Sequence, residues 1–306
     1  MKKSFLICCS LLYGLSSCFA QSVLFDRLDI NNGLSQNTVT TILQDSKGFM
    51  WFGTKDGLNR YDGKTFRIFK RDPHLKSGLR NNLIKCLAED TEHRLWVGTD
   101  SGLYLFDPQK ETFADIPLHA PDGKLITKPI SVLECDKDGY VWIAVEDNGV
   151  FCHDPRSGRT ECRYRQHRTL RSLRSDKNGV IWFAGYGGGL FCTKDRFEHV
   201  EPFSDDAGQP IYPTDIISFI CFSDYNKMYL GLEEHGVVEV NRVTSRISRL
   251  RLSTDPDAPL FVRHILQYTS DELWIGTESG IVVYNLRTQR FQWLRSSPYD
   301  PYSLSD

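Results

Sequence analysis

An aromatic residue returns along this chain at a nearly constant interval, with the same short pattern around it each time. Trp51, Trp96, Trp142, Trp182, Tyr229 and Trp274 stand 45, 46, 40, 47 and 45 residues apart. Twelve positions before each anchor is an aliphatic residue: Val39, Ile84, Ile130, Leu170, Ile217 and Val262. One position after it the residue is always apolar. Two positions after it the residue is always small: Gly53, Gly98, Ala144, Ala184, Gly231 and Gly276. A period in this range is a mark of stacked or radial repeats, each too small to bury its own apolar surface.

Within one repeat the pattern is β. Val39 to Asp45 reads as a first strand, and Asp45-Ser46-Lys47-Gly48 as a turn. Met50 to Thr54 is a dense apolar strand, Leu58 to Tyr61 a third, and Asp62-Gly63 a hairpin signal before a fourth, Thr65 to Lys70. Four antiparallel strands every 45 residues or so specify an all-β fold, a β-propeller of six four-stranded blades. The constant small residue fits an inner strand crowded by the next blade. The blades are expected at 39–69, 84–116, 130–164, 170–203, 217–250 and 262–294. Val23 to Ile30, within the stretch 21–38, is a candidate strand for closing the ring. Residues 295–306 resemble the lead-in to a further repeat, so the ring is expected to be an incomplete seven-bladed one.

Residues 1–20 read as a signal peptide: Lys2 and Lys3, then an apolar run from Phe5 to Leu15, then small residues. Cys18-Phe19-Ala20 before Gln21 suits ordinary cleavage, the favoured cut, while Leu15-Ser16-Ser17-Cys18 has the form of a lipidation site. Beyond it no apolar run approaches the length of a membrane span. Of nine cysteines, six lie past the leader, none with metal-ligand spacing. Cys152 and Cys162 flank one hairpin, with buried free thiols the favoured reading over a disulfide. A net charge of −2 argues against a nucleic-acid surface.

Function is expected on the loops that diverge between repeats, those joining strands two and three and those joining blades. The candidate ligand-binding residues are Tyr186, Glu146, Glu233 and His235 on these loops, with Arg168 and Arg171 at the start of the fourth repeat. Tyr186 stands among Gly185, Gly187, Gly188 and Gly189, where an aromatic can be presented for stacking. Arg168, Arg171 and Arg174 place cations at the start of the fourth repeat, suited to an acidic ligand or to salt bridges. Glu146, Glu233 and Glu234 allow a glycosidase-type carboxylate pair, against the commoner role of solvated loop acids. The Trp anchors are read as core and the first-turn Asp residues as turn formers, since the further acids of a calcium loop are missing. No nucleophile elbow, phosphate loop or zinc motif is present, and no cofactor is expected.

Gly48 to Gly63 (GFMWFGTKDGLNRYDG), Arg94 to Pro108 (RLWVGTDSGLYLFDP) and Glu272 to Asn285 (ELWIGTESGIVVYN) resemble two-component regulator propeller repeats. The lead-in Asn32-Gly33-Leu34-Ser35-Gln36-Asn37 resembles the start of the sensor region of hybrid two-component systems. That resemblance implies a periplasmic sensor propeller that binds rather than catalyses. Its ligand would be an oligosaccharide. It would pair with a second copy as a dimer and signal to a histidine kinase that this chain does not contain. The inner membrane would be reached only through a segment after Asp306. The alternatives are an exported glycan lyase or hydrolase of the same fold, and a protein-interaction scaffold.

Overall fold

The computed structural model describes residues 23–74, 78–120, 122–165, 168–223, 226–253, 260–300 and 302–304. The expected signal peptide, with both of its cleavage patterns, lies outside them. The chain divides into two compact units, Leu28–Arg295 and the terminal segments Met1–Arg27 with Ser296–Asp306. In the terminal unit the Phe25 amide donates to the Tyr302 carbonyl at 3.0 Å, and Ser296 forms a parallel bridge with Leu304.

The large unit contains six four-stranded antiparallel sheets, each built from one repeat in simple meander order. Blade 1 holds β1 (Val39–Gln44), β2 (Met50–Thr54), β3 (Gly57–Tyr61) and β4 (Phe66–Phe69). Blade 2 holds β5 (Ile84–Glu89), β6 (Leu95–Thr99), β7 (Gly102–Asp107) and β8 (Thr112–Ile116). Blade 3 holds β9 (Ile130–Cys135), β10 (Val141–Val145), β11 (Gly149–Asp154) and β12 (Arg159–Tyr164). Blade 4 holds β13 (Leu170–Ser175), β14 (Ile181–Gly185), β15 (Phe191–Thr193) and β16 (Glu201–Pro202). Blade 5 holds β17 (Ile217–Phe222), β18 (Lys227–Leu232), β19 (Gly236–Asn241) and β20 (Ile247–Arg249). Blade 6 holds β21 (Val262–Thr269), β22 (Glu272–Thr277), β23 (Gly280–Asn285) and β24 (Arg290–Leu294). This is a six-bladed β-propeller with its first strands innermost.

One arrangement recurs at the first turn of blades 1 to 4. Asp45, Asp90, Asp136 and Asp176 each take the backbone amides two and four residues on with one carboxylate oxygen. The other oxygen accepts from the anchor indole six residues on, at 2.8 Å in blades 1 to 3 and 3.3 Å in blade 4. Burial pushes the Asp90 carboxyl up, but the Trp96 indole and the Arg94 donors outweigh it and hold the group below the usual carboxylate range. These aspartates are therefore turn residues that also fasten the second strand. In blade 5 both partners change together, to Ser223 and Tyr229. In blade 6 Tyr268 takes the Asp position, and Trp274 donates instead to Glu272 at 2.7 Å.

Five apolar cores lie between consecutive blades, 1–2, 2–3, 3–4, 4–5 and 5–6. Five of the anchors are at most 5% exposed. Trp51 sits edge-on to Phe106 of blade 2, with ring centroids 5.2 Å apart. Trp274 is only half-buried. No core lies between blades 6 and 1 among the described residues. There Val39 and Ile42 of β1, and Leu266 and Tyr268 of β21, stay exposed.

One expectation changes, and the favoured reading of the cysteines is met. Val23 to Ile30 forms no strand: residues 23–29 are irregular and Ile30–Asn32 is a turn of 3₁₀-helix capped by Asp29. Blade 6 draws all four strands from its own repeat, so no terminal strand is needed to complete it. Cys152 and Cys162 do not face each other. Cys162 pairs with Phe151, and Cys152 with Glu161, which sends the two thiols to opposite faces of the sheet. The six described cysteines are free, and burial pushes the Cys152 thiol up to about 12.

Candidate functional site: the mouth of the central cavity

Every first strand carries one extra residue where it meets the second strand. In β1 the pairs Val39↔Thr54 and Thr41↔Gly53 skip Thr40. The same slip leaves out Lys85, Ser131, Arg171, Ser218 and Arg263 in the other five blades. A bulge of this kind turns a side chain away from the alternation of its strand. The six bulged residues alternate around the ring, hydroxyl then cation, three times.

Two of the hydroxyls tie blades together, while Ser131 Oγ donates within its own blade, to the Ala144 carbonyl. Thr40 Oγ1 donates to the Ile84 carbonyl at 2.5 Å, and Ser218 Oγ to the Val262 carbonyl at 2.6 Å, each on the next blade. Two of the cations meet acids on the turns between strands two and three. Lys85 Nζ lies 3.8 Å from Asp100 and 3.4 Å from Glu146. Arg263 pairs with Glu233 at 2.7 Å and with Glu278. The third, Arg171, lies over the ring of Tyr186, its guanidinium carbon 5.7 Å from the ring centroid. Among the described residues it has no carboxylate partner.

A cavity of about 560 Å³ opens here, lined by Thr40, Lys85, Ser131, Glu146, Thr169, Leu170, Arg171 and Tyr186. Blades 1 to 4 all contribute to it, which places it on the axis. A second hollow of about 480 Å³ shares Thr169, Leu170 and Tyr186 and adds Tyr164, Arg168, the glycine loop and Phe191. Tyr186 forms the wall between the two and is 47% exposed. Its loop requires glycine: Gly187, Gly188 and Gly189 have φ of 70°, 86° and 85°. A Cβ on Gly188 would also lie 2.8 Å from Arg168 Nη1. The Gly188 amide donates to the Pro213 carbonyl at 2.8 Å and fixes the loop to the link that leads into blade 5.

Of the six residues expected to bind ligand, the structure brings four together: Tyr186, Glu146, Arg168 and Arg171. Glu233 is held by Arg263. His235 is 2.7 Å from Asp215, a buried carboxylate that also accepts the amides of Ile216 and Glu234. Asp215, Glu234 and His235 offer three donor atoms within 4.8 Å of one another, but the Asp215 oxygens already serve as a loop clamp. Arg174 pairs with Glu134 at 3.1 Å and stays out of the site. Thr40, Lys85 and Ser131 were not among the expected residues. Their signal is the column eleven positions before each anchor, where hydroxyls and cations alternate. At the opposite end of the ring a hollow of about 490 Å³ borders Asp176, Arg242 and Tyr268. Of its two cations, Lys177 and Arg242, the second is paired with Asp176 at 2.5 Å.

The family model described as "Two component regulator propeller" matches residues 33–56 and 78–101. The two matched stretches hold the first two strands of blade 1 and of blade 2. A histidine kinase, P4, from Formosa agariphila is 52% identical over 42 residues, which is 14% of this chain and 3% of that protein. The extracellular domain of the hybrid two component system BT3049 from B. thetaiotaomicron superposes with a TM-score of 0.76 at 22% identity, over 93% of this chain and 38% of that one. Virginiamycin B lyase from Staphylococcus aureus superposes at 0.65 with 11% identity, covering 84% of each chain. The structural likenesses establish the fold alone. The chain spans well under half the length of the sensor domain it resembles. Among the described residues no helix is long and apolar enough to cross a membrane.

Proposed function

We propose that this chain is the exported ligand-binding propeller of a two-component sensor, and that it binds an oligosaccharide at the mouth of its central cavity. The reading rests on one observation above all. An exposed Tyr186, set on a loop of three left-handed glycines, forms a wall of a polar cavity lined by hydroxyls, cations and one acid. A stacking aromatic with convergent polar groups is a common way to hold a sugar ring. The repeats shared with two-component regulators, and the likeness to the extracellular domain of a hybrid system, support the sensor role. Binding would bias how two sensor chains pair and so act on a kinase carried elsewhere in the full protein.

The lyase or hydrolase reading has less behind it. Glu146 is engaged by Lys85 and Glu233 by Arg263, so neither stands as a free acid or base beside the other. The test is calorimetric titration of the full chain with a panel of neutral and charged oligosaccharides. At least one is expected to bind, and Tyr186→Ala is expected to weaken it by about tenfold, the loss of one stacking contact. Turnover of any panel member by the purified chain would contradict a binding role.

A further inference from the structure

The six blades allow one position to be read against its five equivalents. The residue four after each anchor is Lys55, Asp100, Glu146, Tyr186, Glu233 and Glu278. In blades 2 and 6 the bulged cation is neutralised from this column: Lys85 by Asp100 and Glu146, Arg263 by Glu233 and Glu278. Blade 4 has the cation, Arg171, but has Tyr186 in place of the acid. The acid of the preceding blade, Glu146, is taken by Lys85. Arg171 therefore meets an aromatic face where its equivalents meet carboxylates. Arg168 lies over the glycine loop, in the second hollow beyond Tyr186, also with no carboxylate partner among the described residues.

From this broken symmetry we infer that Arg171 receives a carboxylate supplied by the ligand, and that the saccharide bound at this mouth carries a uronic acid. The inference rests on the oligosaccharide reading above and deepens it. An arginine fork matches a carboxylate in two parallel hydrogen bonds, which fixes orientation as well as charge. Tyr186 supplies the flat face for the ring that bears the acid. Arg168, on the other side of Tyr186, is placed for a second acidic group along the chain of sugars. The loop geometry agrees: the three glycines let the backbone pass close under Arg168, where any Cβ at Gly188 would displace the guanidinium.

The experiment titrates the full chain with a panel of uronic-acid trisaccharides, with their methyl esters, and with sulfated neutral trisaccharides. Esterification removes the charge and nearly keeps the shape. The expected result is that at least one free acid binds ten times or more tighter than its ester. Arg171→Gln should bring the acid to the level of the ester. Arg263→Gln, which removes a cation already neutralised, should leave the ratio unchanged. Melting temperatures of both variants establish that they are folded. Equal binding of acid and ester overturns the uronate inference while leaving the oligosaccharide reading standing. So does a ratio that survives in Arg171→Gln, and so does equal binding of the sulfated sugar. Failure of every saccharide, charged or neutral, to bind the folded chain overturns the oligosaccharide reading and this inference with it.

Discussion

His153 shows how a single polar side chain is accommodated at a blade interface. It is 6% exposed, its Nδ1 lies 2.7 Å from Thr160 Oγ1, and its ring is 5.1 Å from that of Trp96 on the preceding blade. Burial pushes its pKa down, with a smaller opposing pull from Asp154. The unfolded chain therefore takes up this proton first. The stability that neutral His153 contributes is complete above about pH 6.5 and is lost as pH falls through the lower folded value. Thermal melts between pH 8 and pH 5 should show a decline that is smaller in His153→Phe. An identical decline in that variant would remove His153 as its source. The aspartate clamp is the other residue-scale device. The Asp, the turn glycine and the Trp are all legible in the sequence as recurring residue types. The indole hydrogen bond is not, because spacing alone does not state that a side chain six residues on folds back over the turn.

At the scale of the element, the small residue two after each anchor explains how closely the blades approach. A Cβ on Gly98 would lie 2.5 Å from Cys86 Sγ and 2.9 Å from Ile130 Cγ2, the second on the next blade. Gly53 and Gly231 are equally enclosed, by Ile84 and Val262. Gly276 occupies the same position in blade 6, and nothing approaches its Cβ site closer than 3.9 Å. Gly98→Ala should thus cost about 1–3 kcal/mol through overpacking. Gly276→Ala should change stability by less than about 1 kcal/mol, with either sign. Urea midpoints of the two variants test this, and similar losses in both would contradict the packing account. The strand pattern of a blade was readable from residue alternation and turn types, and strand bounds differ from expectation by a residue or so. The bulge was not readable. Hydroxyls and cations alternate in its column, but that pattern does not state that the pairing slips there, and only the register shows that Thr40, Lys85, Ser131 and Arg171 turn into one cavity. The charge pairs that remove Glu233 and His235 from the site also needed the fold, since their partners stand 30 and 20 residues away in sequence.

For the whole molecule, the six blades share five cores among the described residues, and the faces of β1 and β21 that meet no described blade keep apolar side chains exposed. The mouth of the central cavity is built from blades 1 to 4, away from blade 6, whose anchor is half-buried. Four of the six expected ligand residues converge there because their positions in the repeat, close to the start of the first strand or to the turn after the second, all point to one end of the axis. The most direct measurement is hydrogen–deuterium exchange of the full chain with and without the tightest saccharide of the panel. Slower exchange is expected in residues 168–171 and 184–190, with little change in 267–270 at the opposite end of the ring. Protection confined to the opposite end, or to the exposed faces of β1 and β21, would contradict a ligand site at this mouth.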